Sequence, residues 1–531
     1  MSSIFYFVLY LCYIFCCTQD LHVVIFSDII QTSYEKSYGM RLTSCRTKEA
    51  FMSISQEESD LGFYIDKIGN KRFNFNKFAH YISYNYNLIC VGEKTYFLYH
   101  KGVYIPIAYQ RLTSMMYKTL YSYSNIWSAS LEENYARALE RVSYYSGKMN
   151  NYKHLINLKN CMFNINTFTA IEHDERYYST IQLAAEYDEN ADCKEFLKFM
   201  DSVFAGDKEL ISVVQEMIGY CLTSDTQAQC FFILYGSGAN GKSVLCNIIK
   251  RLVGKNNYSA IPISDLGHSF SRAELQNKVL NISAENEAPN GKPYNSQYIK
   301  SISSGDEIKA EFKGKDVFSF SPFCKLLFAV NTLPNFNDKT YGFLRRIKII
   351  PFKQCFSVSD GTADIHLEEK LTEELSGIFN WAVEGLKRLR NNDYKFSPCK
   401  AMDEELKKYN ELINPYVAFW DECIIYTPNN EEERVSKKNF YDGYRLWCIR
   451  NNHINAAKVS ARKFWIDINE VLVQKKLTAF KFKKTDGGTR FVLGVKFIDT
   501  SLLPQCVIRP KMSEKEEELI DVDEIDYLSE L

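Results

Sequence analysis

The chain has no CxxC pair, no apolar run of membrane-span length and almost no net charge, and each absence removes a class of protein. Its sixteen cysteines are scattered. A zinc ribbon needs ligands paired at short spacing, and a disulfide framework belongs to small secreted domains, so reduced thiols in a cytosol are expected and no structural metal is. Sixty-four basic residues stand against sixty-five acidic ones. Any nucleic-acid surface must therefore be local rather than a property of the whole. The apolar run Ile4 to Cys17 is shorter than the ~20 residues of a membrane span and lacks the basic residues that precede a secretory core. Three readings fit it: a buried or ill-ordered terminal segment, which includes the case of a true start codon downstream, a signal or anchor, and a membrane contact. No membrane partner is expected of the rest, which reads as cytoplasmic.

What is present is an ordinary globular composition over 531 residues, room for about three or four domains with their own cores. After the apolar segment (1–60), short aromatic runs such as Tyr96 to Tyr104 alternate with turns before the helix-like Ser130 to Tyr145, giving a small α+β region over 61–147. A largely helical stretch, 148–225, ends in Leu210, Val213, Val214, Met217, Ile218 and Cys221 at helical spacing. Residues 226–395 alternate strand-like and helix-like segments, the pattern of a parallel sheet covered by helices, and finish in one long amphipathic helix from Leu367 to Leu389. From 396 to 500 come helices and a hairpin turning at Asp486-Gly487-Gly488, a winged-helix-like arrangement. Lys458, Arg462, Lys463, Lys475, Lys476, Lys481, Lys483, Lys484 and Arg490 make it basic, which suits either duplex DNA or plain solvent. The tail, 501–531, holds nine acidic against two basic residues from Lys511 on, as disordered tails do.

One segment carries specific chemistry. Gly236, Ser237, Gly238, Ala239, Asn240, Gly241, Lys242 and Ser243 satisfy the eight-position phosphate-loop pattern, between the apolar run Phe231 to Leu234 and a helical stretch, Val244 to Leu252. Glycines let the backbone curl so that successive N–H groups face one anion, to which the following helix adds its positive end. ATP is the expected ligand, with Lys242 on the β- and γ-phosphates and Ser243 on Mg2+. A strand at Val279 to Ser283, interrupted by Asn281, leads to Glu285 and Glu287. Glu285 suits the metal shell and Glu287 the attacking water, and the two could exchange roles. Another strand, Lys325 to Val330, ends in Asn331, whose amide could touch the γ-phosphate or the water. Arg345 and Arg346 follow.

This order of motifs, together with Ser304 to Lys313, Gly342 to Phe352 and Glu374 to Ala382, resembles the superfamily III DNA helicases of the phage, plasmid and poxvirus primase-helicase type. The resemblance spans about residues 150 to 500. It implies an AAA+ type P-loop ATPase core within an α/β fold, hexameric rings with ATP between neighbouring subunits, and single-stranded DNA through a central channel. It makes Lys242, Glu285, Glu287 and Asn331 catalytic. Arg345 or Arg346 becomes the finger entering the next subunit's site, and Ile308 to Phe320 the channel hairpin, with Lys309, Lys313 and Lys315 following phosphates. Longer family members carry a primase domain, whereas the first 150 residues here show no acidic metal motif and no zinc-type cysteine cluster, so a separate primase or polymerase partner is expected. The function implied is an ATP-dependent helicase in the replication of a virus, phage or mobile element, acting in host cytoplasm or at a viral replication site. The rivals are an ATP-switched initiator or loader on duplex DNA and an ATPase that remodels protein.

Overall fold

The computed structural model describes residues 54–123, 126–284, 293–357, 359, 361, 364–484 and 488–503. The apolar run at 4–17, Glu285, Glu287, the turn residues Asp486 and Gly487 and the acidic stretch 511–531 lie outside the described residues. The chain divides into two units, Met1–Asn85 with Thr113–Ser143, and Tyr86–Leu112 with Tyr144–Leu531.

In the first unit, the helix Gln56–Leu61 opens with a reciprocal cap between Ser55 and Glu58 and stops at Gly62, whose φ of 109° is open to glycine at low cost. A hairpin pairs Phe63–Ile65 with Lys71–Phe73. The helices Phe75–Asn85 and Ala129–Val142 enclose an aromatic core in which Tyr135 meets Phe73, Phe75, Phe78 and Trp127 at ring separations of 4.7 to 5.8 Å.

The second unit begins with a four-stranded sheet ordered Val103–Ile107, Thr95–His100, Leu88–Val91, Tyr144–Tyr145 and a three-stranded meander over Leu155–Asn157, Met162–Asn164 and Thr169–Ile171. Helices α1 (Lys194–Val203) and α2 (Lys208–Cys221) lead into the main sheet. Its strands are β1 (Phe231–Tyr235), β2 (Tyr258–Ser259), β3 (Leu280–Ala284), β6 (Lys325–Val330) and β7 (Ile347–Pro351), ordered β2-β3-β6-β1-β7 and parallel throughout. A hairpin of β4 (Ile308–Glu311) and β5 (Val317–Phe320) stands outside that sheet.

A parallel sheet is covered on both faces, so its strands are apolar without alternation. In β1, Phe231, Phe232, Ile233 and Leu234 are all fully buried. The period of two then sorts them: Phe232 and Leu234 join the core built with α1, α2 and helix α3 (Lys242–Val253), while Phe231 and Ile233 join a second core on the other face. Burying such a side chain contributes about 2 kcal/mol. Asn281, the residue that breaks the apolar run of β3, is buried with its amide satisfied: Oδ1 accepts from Ser259 Oγ and Ile261 N–H, both at 2.8 Å, and Nδ2 donates to Ile261 O at 2.9 Å. It ties the sheet edge together rather than interrupting it.

The periodic run from Leu367 to Leu389 forms two helices, not one: α4 (Leu367–Glu373) and α5 (Leu375–Asn391). Glu374 separates them, and its carboxylate accepts the N–H groups of Glu195 and Phe196 at 2.9 and 2.8 Å. A side chain recruited to the start of α1 holds the backbone off the helical path, information that periodicity does not carry. Helix α5 then crosses α2 with backbones in direct contact. A Cβ on Gly219 would lie 2.2 Å from Ala382 O, and one on Gly385 would lie 2.5 Å from the Gln215 backbone. An ion pair between half-exposed Arg388 and buried Glu216, Nε to Oε1 at 2.7 Å, closes the same contact.

The C-terminal segment has its own core of Phe419, Phe440, Tyr444, Trp447 and Phe464, formed by the helices Pro415–Cys423, Lys437–Arg450 and Ala461–Gln474. The strands Phe482–Lys484 and Arg490–Leu493 pair as the sequence suggests, and Arg434–Ser436 adds a third strand beside them.

Candidate functional site

The loop from Gly236 to Ser243 links the end of β1 to the start of α3 at the carboxyl edge of the parallel sheet. Ligands of open α/β sheets gather at that edge. The loop is held from two sides. Gly236 N–H donates to Val330 O at 3.3 Å, and Phe356 N–H donates to Ala239 O at 2.8 Å. Gly241 has φ 84°, and a Cβ there would meet Val203 Cγ2 of α1 at 2.8 Å, so both conformation and space require glycine.

Lys242 is 7% exposed, and burial pushes its ammonium below the usual lysine range. Its Nζ donates to Gly236 O at 2.7 Å and Asn240 Oδ1 at 2.8 Å. Asn240 is itself fixed, accepting Gly238 N–H at 2.7 Å and donating to Gln354 O at 3.1 Å. These two acceptors fix the direction of the ammonium along the loop. Helix α3 starts at Gly241 without a side-chain cap, so its first N–H groups lack partners within the helix.

Beside the loop lies a cavity of about 560 Å³, within the usual size for a small-molecule site. Gly238, Ala239, Asn240, Gly241, Lys242 and Ser243 form one wall, and Ala284 and Asn331 mark the ends of β3 and β6. Lys198, Phe199 and Ser202 of α1, together with Phe356, Asp364 and Leu367, close it. Curled N–H groups, a buried ammonium and a helix N-terminus make a donor set matched to an anionic phosphate chain. Among the described residues, no group of three or more His, Cys, Asp or Glu is placed to hold a metal ion.

Of the sequence candidates, the loop residues and Asn331 are brought together here, Gly236 through its carbonyl on Lys242 and Ser237 as the next turn of the loop. Glu285, which follows Ala284, and Glu287 lie outside the described residues. Arg345 and Arg346 do not line the cavity. Arg345 is exposed and reaches Gln229 Oε1 at 3.4 Å, whereas half-buried Arg346 is engaged by Gly342 O and by Ser304 Oγ at 3.3 Å. Lys309, Lys313 and Lys315 are exposed on the β4–β5 hairpin. In the C-terminal segment several expected cations are neutralised: Lys463 pairs with Asp467, Lys475 with Asp421 and Lys483 with Glu431. A larger cleft of about 1280 Å³ between the parallel sheet and this segment is bordered by Asn337, Lys339, Tyr416 and His453 and, of the candidates, holds Lys463.

Sequence reasoning missed the clamp of Asn240 on Lys242 and the wall formed by Phe199, Phe356 and Leu367. It also missed Arg272, a buried guanidinium that donates to Lys309 O at 2.9 Å and Gly267 O at 2.7 Å beneath the hairpin. The amphipathic spacing of α1 was the one available signal for Phe199; no local pattern marks Phe356 or Arg272 as neighbours of the loop or hairpin.

Two family models match the chain: "D5 N terminal like" over residues 79–205 and a family of unknown function (DUF5906) over residues 234–346. Among curated relatives, "Putative helicase 184R" of Invertebrate iridescent virus 6 is 24% identical over 366 residues, covering 61% of this chain and 37% of that protein. "Putative helicase L207/L206" of Acanthamoeba polyphaga mimivirus is 25% identical over 266 residues, covering 46% and 27%. The chain thus spans well under half the length of these relatives. Among solved structures, the A form apo structure of the NrS-1 C-terminal region aligns with a TM-score of 0.44 at 11% identity, covering 77% of this chain and 96% of that one. Among the described residues, no helix is long and apolar enough to cross a membrane. The chain is thus similar to viral proteins named as putative helicases and carries a D5 N-terminal-like match over residues 79–205.

Proposed function

We propose that this chain is an ATP-dependent DNA helicase that translocates on single-stranded DNA during replication of a virus, phage or mobile element, in host cytoplasm or at a viral replication site. The observation that carries the reading is the aimed Lys242 ammonium at the end of a glycine loop, opening on a cavity that also receives Asn331.

In this reading residues 226–395 are an AAA+ type P-loop ATPase core. Gly236 to Ser243 cradle the β-phosphate, and Lys242 exchanges its loop acceptors for β- and γ-phosphate oxygens. Ser243 and Glu285 hold Mg2+, which offsets phosphate charge when bound. Glu287 orients the attacking water and Asn331 contacts the γ-phosphate or that water. Arg345 or Arg346 reaches a neighbouring subunit's cavity in a homo-hexamer, because neither serves its own. Lys309, Lys313 and Lys315 follow the strand in the channel. The winged-helix-like segment, 396–500, contacts duplex DNA through Lys458, Arg462, Lys476, Lys481, Lys484 and Arg490, and priming falls to a separate primase or polymerase.

The test is hydrolysis of ATP by purified protein with and without single-stranded DNA, combined with its mass in nucleotide. Stimulation by DNA in a hexamer, lost in Lys242→Ala, is expected; a fully active monomer, or full unwinding by Lys242→Ala, sinks the reading. The second reading, an ATP-switched initiator or loader, draws on the exposed cations of the C-terminal segment. Strand displacement on a forked duplex with protein and ATP alone excludes it.

A further inference from the structure

The β4–β5 hairpin has two chemically different faces. Opposed residues of an antiparallel pair share a face. The register Ile308↔Phe320 and Ala310↔Phe318 puts those four on one side, and Lys309↔Ser319 the other way. On the first side three rings form a ladder. Phe320 packs against the second core, Phe318 stacks on it at 5.7 Å and 29°, and Phe312 stacks on Phe318 at 5.1 Å and 13°. The ladder ends at the turn, where Phe312 is 40% exposed. Lys313 and Lys315 follow it in the turn, against Asp316 as the one acid there, and Lys315 Nζ lies over the Phe312 ring, 5.8 Å from its centroid.

The arm that carries this tip is fixed at its base. Arg272 donates to Lys309 O and to the carbonyls of Leu266 and Gly267, while its guanidinium sits 3.8 Å from the Tyr298 ring centroid. Core packing accounts for Phe320 but not for a partly exposed aromatic ring at a turn that carries two lysines. An aromatic beside mobile cations is the composition that binds single strands without reading sequence: the cations take phosphates and the ring takes the flat face of any base.

We propose that Phe312 is a base-stacking platform for single-stranded DNA, extending the ladder of Phe320 and Phe318 by one nucleobase while Lys313 and Lys315 hold the adjoining phosphates. The proposal rests on the DNA-tracking reading of this hairpin and adds to it a contact with bases.

The two contacts separate experimentally, because phosphate contacts depend steeply on salt and stacking does not. Binding of the full chain is measured by fluorescence anisotropy to a single-stranded oligonucleotide and to the same backbone made abasic, across a salt series. The wild type should prefer the base-bearing strand by about tenfold. Phe312→Ala and Phe312→Leu should erase that preference with the salt slope intact, and Phe312→Trp should keep it. Lys313→Ala should weaken both strands alike and flatten the slope by about 0.7. Retention of the preference in Phe312→Ala and Phe312→Leu overturns the platform while leaving DNA tracking standing. Failure of the wild type to bind either strand overturns both.

Discussion

The Oδ1 of Asn240 receives two donors at once, the Lys242 ammonium at 2.8 Å and the Gly238 N–H at 2.7 Å. One amide therefore fixes both the curl of the loop and the direction of its only cation. Asn240→Ala should leave the fold intact and raise KM for ATP by about tenfold, because the Gly238 N–H loses the acceptor that holds the curl of the loop. Lys242→Ala should abolish hydrolysis. Steady-state kinetics on both variants check this, and an unchanged KM in Asn240→Ala would show that the clamp does not matter.

Arg345 and Arg346 stand in different environments although adjacent. Arg346 is anchored within its own subunit to Gly342 and Ser304, and burial lowers its pKa, whereas Arg345 is exposed. Arg345 is the freer of the two to enter another subunit. Arg345→Ala should bind nucleotide normally yet lose about 10³-fold in DNA-stimulated turnover. In the proposed ring one variant supplies the loop and the other the guanidinium, so mixing it with Lys242→Ala should restore activity. Co-assembly without recovery would place the arginine elsewhere.

The Glu216 carboxylate is buried and accepts from Arg388 Nε at 2.7 Å and from Ser397 N–H at 2.9 Å. Arg388→Met strips the charge partner while leaving the carboxylate behind, at a cost of about 3 kcal/mol. Glu216→Gln combined with Arg388→Met should recover part of the loss. Chemical denaturation of the wild type and the two variants measures it, and equal stability of wild type and Arg388→Met would contradict it.

Lys325 enters β6 fully buried, its Nζ donating to the carbonyls of Thr223 and Phe323 and lying 4.9 Å from the Tyr220 ring centroid. Burial lowers its pKa to about 8. Between that value and the ordinary one of about 10.5 the unfolded chain binds more protons than the native protein, so stability should rise with pH across this window. The contribution is fully present above about pH 10.5 and is lost as pH falls through about 8. Lys325→Met lacks the titration, so wild type should gain on the variant by about 3 kcal/mol between pH 7 and pH 10.5. Parallel stability curves for the two proteins would refute the shift.

The parallel sheet was legible because Phe231 to Leu234 in β1 and Leu326 to Val330 in β6 are unbroken apolar runs, and the glycine loop because its eight positions constrain both backbone and charge. Asn281 weakened the signal of β3, since one-dimensional hydropathy cannot see an amide satisfied by a neighbouring strand. Glu374 escaped for a related reason: its partners, Glu195 and Phe196, stand nearly 180 residues away. The cavity wall escaped as well. Phe199, Phe356 and Leu367 meet only after folding, and nothing in their local sequences distinguishes them from other core residues.

Glu374 gives two walls of the cavity a common joint. It ends the helix that begins with Leu367 and seals the start of the helix that carries Lys198, Phe199 and Ser202. Leu367 on one flank and Phe199 on the other are therefore positioned through a single carboxylate-bearing residue.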